Sequence, residues 1–366
     1  MISKKIVHLI TTIERGGAEN QLLILAINQL KQGIEVEVLY LKGIPELKVK
    51  FEEAGIKVNP LLVGHSFIFQ VIKFRNFIRN NTSPVHTHLP QAELVAALSC
   101  RKRHFIISRH NFEPFWPNKP KYISKFLSRF VVSRAAGGIA ISGAVKGYLS
   151  ENKEINRRFK LEVVHYGFNP EDSIPLKSSM SLFAKLDSKT EFKIGTIGRL
   201  VSGKNYPTML KAVALVVKTQ PSVKFFIVGG GSEEKDLLRL TKELEIENNV
   251  IWLGRIEHIK EFLSSIDLFI FASKGEGLGL ALLEAMLSQK PILAACNSAI
   301  PEVLGSNYKG LFSTDNYTLL ASKIVEVITD PAKSKFLVSD YKNQIELFNP
   351  GVMAEKVLNV YRKSGF

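Results

Sequence analysis

The sequence predicts an α/β protein with two Rossmann-like domains, each built on a parallel sheet. Three observations support this fold class. The chain has 366 residues, short apolar runs alternate with helical patterns in both halves, and a polar stretch at about 169–189 separates the halves. A chain of this length exceeds one core of ordinary size, and the alternation is typical of parallel sheets with helices on both faces. We expect the two domains to face each other across a cleft.

The first half contains one alternating series. Its predicted strands are residues 6–10, 35–41, 83–88, 105–109 and 138–142. The clearest helical patterns between them lie at 18–32 and 91–99. Asn169-Pro170 then opens the polar stretch, which we interpret as the linker between the domains.

A second alternating series follows the linker. Its predicted strands are residues 193–198, 224–228, 250–253, 268–272 and 291–295, and its predicted helices are 206–218, 233–244 and 258–264. A last helical pattern at 352–363 follows Asn349-Pro350. The predicted domains are therefore 1–172 and 173–349, followed by a final helix at about 350–366.

The composition argues against several classes of protein. A hydrophobic content of 45% and an aromatic content of 9% are typical of a globular chain. The two cysteines, Cys100 and Cys296, form neither a disulfide framework nor a metal-binding spacing, which favours a reducing, cytoplasmic setting. No apolar run reaches the roughly 18 residues of a membrane-spanning helix, and the run at 6–10 is better explained by a buried strand than by a signal peptide.

The positive charge is concentrated in the first half. Residues 1–170 contain 25 Lys and Arg but 12 Asp and Glu, so they carry +13 of the formal net charge of +15. A basic half indicates an anionic partner, either nucleic acid or an acidic membrane leaflet. Because no nucleic-acid-binding motif occurs and the aromatic residues have helical spacing, we expect no nucleic acid partner.

The most informative motif follows the predicted strand at 268–272. A glycine-rich loop leads into a helix, and two carboxylates, Glu276 and Glu284, lie eight positions apart. This order directs backbone N–H groups toward the start of the helix, where the dipole favours negative charge. Glu276 precedes the helix and Glu284 lies within it, so one extended polar ligand could contact both.

This segment resembles the E-x7-E signature of the retaining glycosyltransferases of family 4, which have the GT-B fold. The resemblance covers nearly the whole chain and is strongest at 193–304. It implies that the final helix crosses back to the first domain. It also implies that Glu284 accepts hydrogen bonds from ribose hydroxyls, that Glu276 lies near the donor sugar, and that the amides of Gly277, Leu278 and Gly279 hold sugar and phosphate oxygens.

A basic loop, Gly198-Arg199-Leu200-Val201-Ser202-Gly203-Lys204, follows the first strand of the second half. Its cations suit a diphosphate, because Arg binds it bidentately and Lys supplies a point charge. The loop resembles the family's Gly-Arg-x-x-x-x-Lys pattern, whose cations neutralise the departing phosphate. Since no Asp-x-Asp pattern is present to seat a divalent cation, we expect transfer without a metal.

Other glycine loops complete the predicted donor site. Gly16 and Gly17 open the first helix, and by resemblance they lie beneath the diphosphate. Gly231 belongs to a Gly-Gly-Gly loop that borders the ribose in the family, although family members commonly have an acid where this chain has Gly230.

The base-binding segment follows the strand at 250–253. Gly254-Arg255-Ile256 resembles the segment whose backbone reads the nucleobase, so Arg255 and Ile256 are site candidates. The family preference is for uridine, which favours a UDP-sugar.

Three histidines lie near predicted strand ends in the first half. His86 and His88 alternate with Thr87 and so share one strand face, which resembles half of a zinc site. Without a third spaced ligand we expect no metal there, and a buried structural role explains His88 equally well. His110 resembles the family's histidine beside the transferred sugar, and we predict that it hydrogen-bonds the sugar or the acceptor.

Two basic stretches, residues 65–81 and 118–134, interleave aromatic side chains with Lys and Arg. In the second, Ile123, Phe126, Leu127 and Phe130 have helical spacing with cations beside them, which is typical of a helix in an anionic interface. A core helix with a solvated basic face explains each stretch as well. Together with the charge, they favour peripheral contact with the inner face of the membrane and a lipid-linked acceptor.

The sequence therefore predicts a retaining, metal-independent glycosyltransferase with a UDP-sugar co-substrate and no cofactor. The expected acceptor is a glycan or a lipid-linked glycan of cell-surface polysaccharide or glycolipid synthesis. A glycosidase, which also uses two carboxylates, would not need the basic loop. Two alternatives stay open: an epimerase-like enzyme on the same fold, and an inactive sugar-binding subunit, which intact Arg199, Lys204, Glu276 and Glu284 disfavour.

Overall fold

The computed structural model describes residues 5–79, 83–117, 119–168 and 191–366. The chain divides into two compact units, 1–168 with 347–366, and 169–346. Each unit contains one parallel sheet flanked by helices, so the predicted class of two Rossmann-like domains is confirmed. The predicted linker at 169–189 lies outside the described residues.

The first unit alternates strands and helices along the chain. In its described part the elements are β1 (Lys5–Ile10), α1 (Gly17–Lys31), β2 (Glu35–Tyr40), α2 (Lys48–Glu53), β3 (Lys57–Asn59), α3 (Phe67–Arg79), β4 (Val85–His88), α4 (Pro90–Ser99), β5 (Phe105–Arg109), α5 (Lys121–Arg134), β6 (Gly137–Ala140), α6 (Gly143–Glu151) and β7 (Leu161–Val163). The sheet order is β3-β2-β1-β4-β5-β6-β7. All of these strand pairs are parallel.

The second unit repeats the pattern. Its described elements are β8 (Lys193–Ile197), α7 (Tyr206–Val217), β9 (Lys224–Val228), α8 (Glu234–Glu243), β10 (Val250–Gly254), α9 (Ile259–Ser265), β11 (Leu268–Phe271), α10 (Leu280–Leu287), β12 (Ile292–Ala295), α11 (Ile300–Leu304), β13 (Leu311–Phe312), α12 (Tyr317–Thr329) and α13 (Pro331–Tyr341). The sheet order is β10-β9-β8-β11-β12-β13, again with parallel pairs.

Both sheets have a point at which the strand order reverses. It lies between β1 and β4 in the first unit and between β8 and β11 in the second. Loops that leave the carboxyl ends of two such strands run to opposite faces of the sheet and open a crevice, which is where ligands bind in open α/β sheets. The topology therefore marks one candidate ligand site in each unit.

Helices cover both faces of the first sheet. On one face, α3, α4 and α5 bury Phe74, Val95 and Val131 in one apolar cluster, which also contains Val7 and Leu9 of β1. On the other face, Ile10 packs in the cluster of α1 and α2. Alternate residues of β1 thus enter opposite layers, as the period of two in a strand requires.

The last helix, α14 (Pro350–Lys363), belongs to the first unit. Asn349 caps its start by accepting from the Gly351 amide at 2.8 Å. Met353 and Val357 pack against Ile6 of β1 and its neighbours. The predicted return of this helix to the first domain is confirmed.

The shortest strands escaped sequence analysis. β3, β7 and β13 have two or three residues, too few to show an alternating pattern. Among the described helices, none combines the length and the apolar character needed to cross a bilayer.

Candidate functional site

In the second unit, the loop after β8 meets the loop after β11. The two strands are neighbours in the sheet, so their following loops leave the same edge side by side. The Lys204 ammonium forms an ion pair with the Glu276 carboxylate, and it lies 5.3 Å from the centroid of the Phe271 ring. The structure therefore brings together two predicted residues that are distant in sequence.

Backbone and side-chain bonds fix these two loops to each other. The Lys274 amide donates to the Gly203 carbonyl at 2.8 Å. Asp315 accepts from the Asn205 amide group at 3.0 Å and pairs with the Lys274 ammonium, also at 3.0 Å. Glu276 is only 8% exposed. These bonds between the two loops hold Lys204 and Glu276 in place.

Gly198, Arg199 and Gly231 lie in a second pair of touching loops. The Leu200 amide donates to the Gly230 carbonyl at 3.1 Å. A Cβ on Gly231 would lie 2.4 Å from the Leu200 carbonyl oxygen, so this approach requires glycine. The Arg199 side chain is exposed, and within the described residues its guanidinium forms no ion pair or hydrogen bond, so it is not paired with Glu276 as Lys204 is.

The base-binding candidates lie beside the same glycine loop. Arg255 is exposed and Ile256 is half-buried. The Arg255 Nε would lie 3.7 Å from a Cβ built on Gly230. An acid at position 230, as in the family pattern, would therefore come close to this guanidinium.

The helix α10 begins with its first-turn amides uncapped by a side chain. Gly279 is the N-cap residue, and its φ of +92° is one that glycine adopts without strain. Leu278 is buried and Gly277 is half-buried, so the three predicted amide donors come from a packed loop. Uncapped amides at a helix start favour an anion or a polar oxygen.

Glu284 lies on α10, one face of which is packed in the core. Its carboxylate is half-buried, and no group among the described residues hydrogen-bonds it. Burial raises the pKa of this carboxyl to about 7. A carboxylate left without a partner is well suited to accept hydrogen bonds from a ligand's hydroxyl groups.

The protonation of Glu284 is expected to contribute to the pH dependence of the free energy of unfolding. A raised pKa means that its contribution to stability is present in full below pH 4.5, the ordinary value, and is lost as the pH rises through about 7. At pH 8 we therefore expect Glu284→Gln to be more stable than the parent, by at most about 3 kcal/mol. Urea unfolding at pH 4 and pH 8 measures the difference.

The exposed residue Glu243 offers the matched control. Glu243→Gln, on α8, should change the free energy of unfolding equally at both pH values. Identical pH profiles for Glu284→Gln and the parent would show that the Glu284 carboxyl is not desolvated.

In the first unit, the buried His8, His86 and His88 and the half-buried His110 gather at the reversal point of the sheet. His8 Nδ1 lies 3.0 Å from His88 Nε2, and His88 Nδ1 lies 3.2 Å from His110 Nε2. His110 Nδ1 lies 2.5 Å from the Tyr166 hydroxyl. His86 bonds elsewhere, to Ser108 and Tyr361. Both ring nitrogens of His110 are thus occupied by protein groups.

Burial keeps these imidazoles neutral. It lowers the pKa of His8 to about 4 and the pKa of His110 to about 3, in the latter case helped by the Arg109 charge. Burial, reinforced by the neighbouring histidines, also holds the pKa values of His86 and His88 well below the ordinary value. Ring nitrogens of His8, His86 and His88 lie within 4.8 Å of one another, a spacing that a metal ion could use.

Gly16 and Gly17 lie at the start of α1, close to this cluster. Gly16 is the N-cap residue and no side chain caps the helix. Glu19 accepts from the Thr12 hydroxyl at 2.7 Å, and its charge adds to burial in raising the pKa of Tyr166. Tyr166, which bonds His110, therefore lies within electrostatic range of Glu19 in the first turn of α1.

A buried ion triad lies directly behind His110. Arg109 Nη2 is 3.0 Å from Glu93 Oε2, and its Nη1 is 3.6 Å from Glu154 Oε2. Burial raises the pKa of Glu93 to about 7, with Arg109 opposing and Glu154 reinforcing that shift. Glu93, Arg109 and His110 all line one small cavity.

Most of the first unit's polar cluster was not predicted from the sequence. His8, Gln29, Tyr166 and Tyr361 come from four different elements or loops. One signal was available, because His8 interrupts the otherwise apolar strand β1, and a polar residue in a buried strand needs partners.

The two basic stretches form α3 and α5, which both pack against α4. Their exposed apolar side chains include Ile68 and Phe69 on α3 and Tyr122 and Phe126 on α5. The prediction for α5 was partly wrong. Leu127 and Phe130 pack against the core, because the helix needs one apolar face to dock on its own sheet.

Two parallel Rossmann-like units with polar side chains at their reversal points define the architecture of GT-B glycosyltransferases. Residues 15–172 match the family described as Glycosyltransferase Family 4. Residues 180–344 match the family described as Glycosyl transferases group 1. The protein is therefore a glycosyltransferase.

Relatives with named activities extend this result. The chain is 28% identical over 372 residues, covering 97% of it and 98% of the relative, to the GalNAc-alpha-(1->4)-GalNAc-alpha-(1->3)-diNAcBac-PP-undecaprenol alpha-1,4-N-acetyl-D-galactosaminyltransferase of Campylobacter jejuni. It is also 28% identical over 176 residues to the poly(ribitol-phosphate) alpha-N-acetylglucosaminyltransferase of Staphylococcus aureus, which covers 47% of this chain and 36% of that protein.

A solved structure has the same fold over the whole chain. The Anabaena protein HepE, crystallised with UDP and glucose, aligns with a TM-score of 0.82 and 21% identity, covering 98% of this chain and 99% of that one. At this identity the likeness shows the fold alone.

Proposed function

We propose that the protein is a retaining, metal-independent glycosyltransferase that moves a sugar from a UDP-sugar to a glycan or lipid-linked acceptor in cell-surface polysaccharide or glycolipid synthesis. The pairing of Lys204 with Glu276 at the reversal point of the second sheet carries this proposal. It joins a cation suited to a diphosphate with the first acid of the E-x7-E pattern. The C. jejuni relative is named for transfer to an undecaprenol-linked glycan and the S. aureus relative for transfer to poly(ribitol-phosphate), and both names support the acceptor class that we propose.

The leaving diphosphate would be held by Lys204 and Arg199. Glu276 neutralises Lys204, and the exposed Arg199 has no ion-pair partner among the described residues. A diphosphate that binds here would share Lys204 with Glu276 and gain the uncapped amides at the start of α10. Fixed cations in a partly desolvated site stabilise developing charge more than cations in water do.

The nucleoside would be held by Glu284, with Gly231 and Arg255-Ile256 beside it. No group among the described residues hydrogen-bonds the Glu284 carboxylate, and burial limits its contact with water. Ribose hydroxyls would supply the missing hydrogen bonds. HepE, the fold neighbour, was crystallised with UDP, which supports uridine as the base. Gly277 and Gly279 would bring the backbone close to the donor sugar.

The chemistry we propose needs no side-chain nucleophile. UDP departs while the acceptor hydroxyl attacks from the same face, and the departing phosphate takes the hydroxyl proton. Glu276, tied to Lys204, would orient the donor sugar rather than attack it. In the first unit, Gly16, Gly17 and His110 would contact the phosphate and the sugar.

The epimerase alternative is not favoured. Such an enzyme needs an accessible acid and base in the first unit. The buried acids near His110 are Glu93 and Glu154, and both are committed to Arg109. Glu93 is 0% exposed, and because both acids pair with Arg109, neither is free to act as the acid or base of an epimerase.

A donor panel tests the proposal. Purified protein is incubated with UDP-glucose, UDP-galactose, UDP-GlcNAc and UDP-GalNAc, with and without membrane extract and with and without EDTA, and UDP release is measured. We expect one donor to be used, membrane extract to accelerate release, EDTA to have no effect, and NMR of the product to show the donor's anomeric configuration. An inverted anomer, or inhibition by EDTA that is reversed by a divalent cation, would overturn the mechanism.

We further propose that α3 and α5 place the protein on the anionic inner face of the membrane. Tyr122 and Phe126 are 73% and 70% exposed, and Lys121 and Lys125 flank them on the same helix. Aromatic side chains beside cations are typical of an interfacial helix. The same helix layer of the first unit carries the exposed Ile68 and Phe69 on α3.

Removing both lysines is expected to weaken this attachment. Lys121→Ala with Lys125→Ala should cost about 2 kcal/mol of binding to phosphatidylglycerol-containing vesicles, or roughly a 30-fold loss in partition measured by sedimentation. The exposed pair Lys235 and Lys242 of α8, changed to alanine together, is the matched control. Equal binding by both double variants would contradict the role of α5.

A further inference from the structure

The histidines of the first unit form a hydrogen-bond chain whose direction follows from the orientation of the Gln29 amide. Gln29 Oε1 lies 2.8 Å from His8 Nε2, and Gln29 Nε2 donates to the Tyr361 hydroxyl at 3.1 Å. A carbonyl oxygen only accepts. With the Gln29 amide in this orientation, His8 carries its proton on Nε2.

Neutral imidazole has one proton, so every later link follows from the first. His8 Nδ1 is bare and accepts from His88 Nε2–H at 3.0 Å. His88 Nδ1 is then bare and accepts from His110 Nε2–H at 3.2 Å. His110 Nδ1 is bare in turn and accepts from the Tyr166 hydroxyl at 2.5 Å.

The second arm obeys the same logic. Tyr361 accepts from Gln29, so its own proton goes to His86 Nδ1 at 2.8 Å. His86 then donates from Nε2 to the Ser108 hydroxyl oxygen at 2.7 Å. All four histidines end in the same Nε2–H tautomer, and no buried ring nitrogen among them lacks a partner.

We propose that Gln29, acting through His8 and His88, is the positioning residue that locks His110 as an Nε2–H imidazole with its Nδ1 lone pair directed at Tyr166. The deep burial of Gln29, His8 and His88 supports this role, because a buried chain cannot exchange protons with water at its middle. Only the use made of His110 rests on the proposed function. A sugar or acceptor hydroxyl that takes the place of Tyr166 must then donate to Nδ1.

The hydrogen-bond chain also competes with a metal ion, which the spacing of His8, His86 and His88 could accommodate. In the hydrogen-bond chain, each bare Nδ1 of these three residues already accepts a hydrogen bond. A metal would have to take the lone pairs that the chain uses. Chain and metal therefore exclude each other, and one measurement can separate them.

The test is the tautomer of each histidine in the full-length protein. The protein is labelled with 15N-histidine, and two-bond proton–nitrogen correlations at pH 7 show which ring nitrogen of each histidine carries the proton. We expect neutral Nε2–H forms at His8, His86, His88 and His110. A protonated Nδ1 at His110, or stoichiometric zinc or another divalent metal found by elemental analysis, would overturn the proposal.

Variants of Gln29 test its control of the chain. Gln29→Leu removes the acceptor and should convert His110 from a single tautomer to a mixture or to Nδ1–H. Gln29→Glu keeps an acceptor oxygen and should preserve Nε2–H at His110. Gln32→Leu makes the same substitution at an exposed position and should leave the His110 tautomer unchanged. An unchanged His110 in Gln29→Leu would overturn the proposal.

A variant at the other end keeps the test decisive if Gln29→Leu does not fold. Tyr166→Phe removes the terminal donor but leaves Gln29 in place, so His110 should stay Nε2–H. A mixed tautomer there would show that Tyr166, not Gln29, sets the direction. None of these NMR measurements uses a nucleotide-sugar donor or a glycan acceptor. Failure of the transferase assay and failure of this inference are therefore separate results.

Discussion

Lys204→Ala is expected to slow UDP release from the donor identified in the panel by about 100- to 1,000-fold, the usual effect of removing one group that stabilises developing negative charge. Lys204 is the cation that meets Glu276 at the reversal point of the second sheet. Without it, the charge that builds on the departing phosphate faces only Arg199 and backbone amides. The measurement is steady-state UDP release at saturating donor.

Two further measurements isolate this effect. Lys235→Ala, an exposed lysine on α8, should release UDP at the parental rate. Circular dichroism and thermal unfolding should show Lys204→Ala folded, because most supports of the loop, such as the Asn205–Asp315 bond, remain. A rate within threefold of the parent would remove Lys204 from the chemistry and with it the main support for the proposed function.

Arg109→Met is expected to destabilise the first unit by about 3–5 kcal/mol, the usual cost of breaking a buried ion pair from one side. The guanidinium lies between Glu93 and Glu154, donates to the Ser128 hydroxyl at 3.0 Å, and stacks 4.5 Å from the centroid of the Phe115 ring. Methionine fills the volume but leaves two buried acids without a cation. Urea unfolding gives the free-energy difference.

The loss of unfolding free energy in Arg109→Met should be larger at high pH than at low pH. The pKa of Glu93 is raised to about 7, so at pH 5 this acid is protonated and needs no cation. At pH 8 it is ionised and depends on Arg109, and the deficit should be larger. Arg101→Met, an exposed control, should have no such profile. A deficit below 1 kcal/mol at pH 8 would show that the triad is solvated.

The sequence was informative where chemistry and local structure are set by neighbouring residues. Glycine loops after apolar strands located Gly198 and Gly279, because a strand-to-helix turn constrains its own few residues. Lys204 and Glu276 were named from two separate loops, and the parallel pairing of β8 with β11 brings those loops together.

The sequence is least informative where the partners of a residue come from distant segments. The triad of Glu93, Arg109 and Glu154 and the link from Gln29 to Tyr361 join residues that no local pattern connects. The α5 surface was predicted too broadly for a similar reason. Helical spacing shows that a face is apolar, and only packing shows which part of it the protein's own core covers.

Alone, the sequence determined the α/β class, the two series of strands and helices, and the residue types able to meet a nucleotide sugar, since periodicity and turn chemistry act over a few residues. The tertiary structure decided which polar groups are paired, which are buried and which partners surround each histidine. These properties depend on burial and on partners across the sheet, and both exist only once the chain has folded.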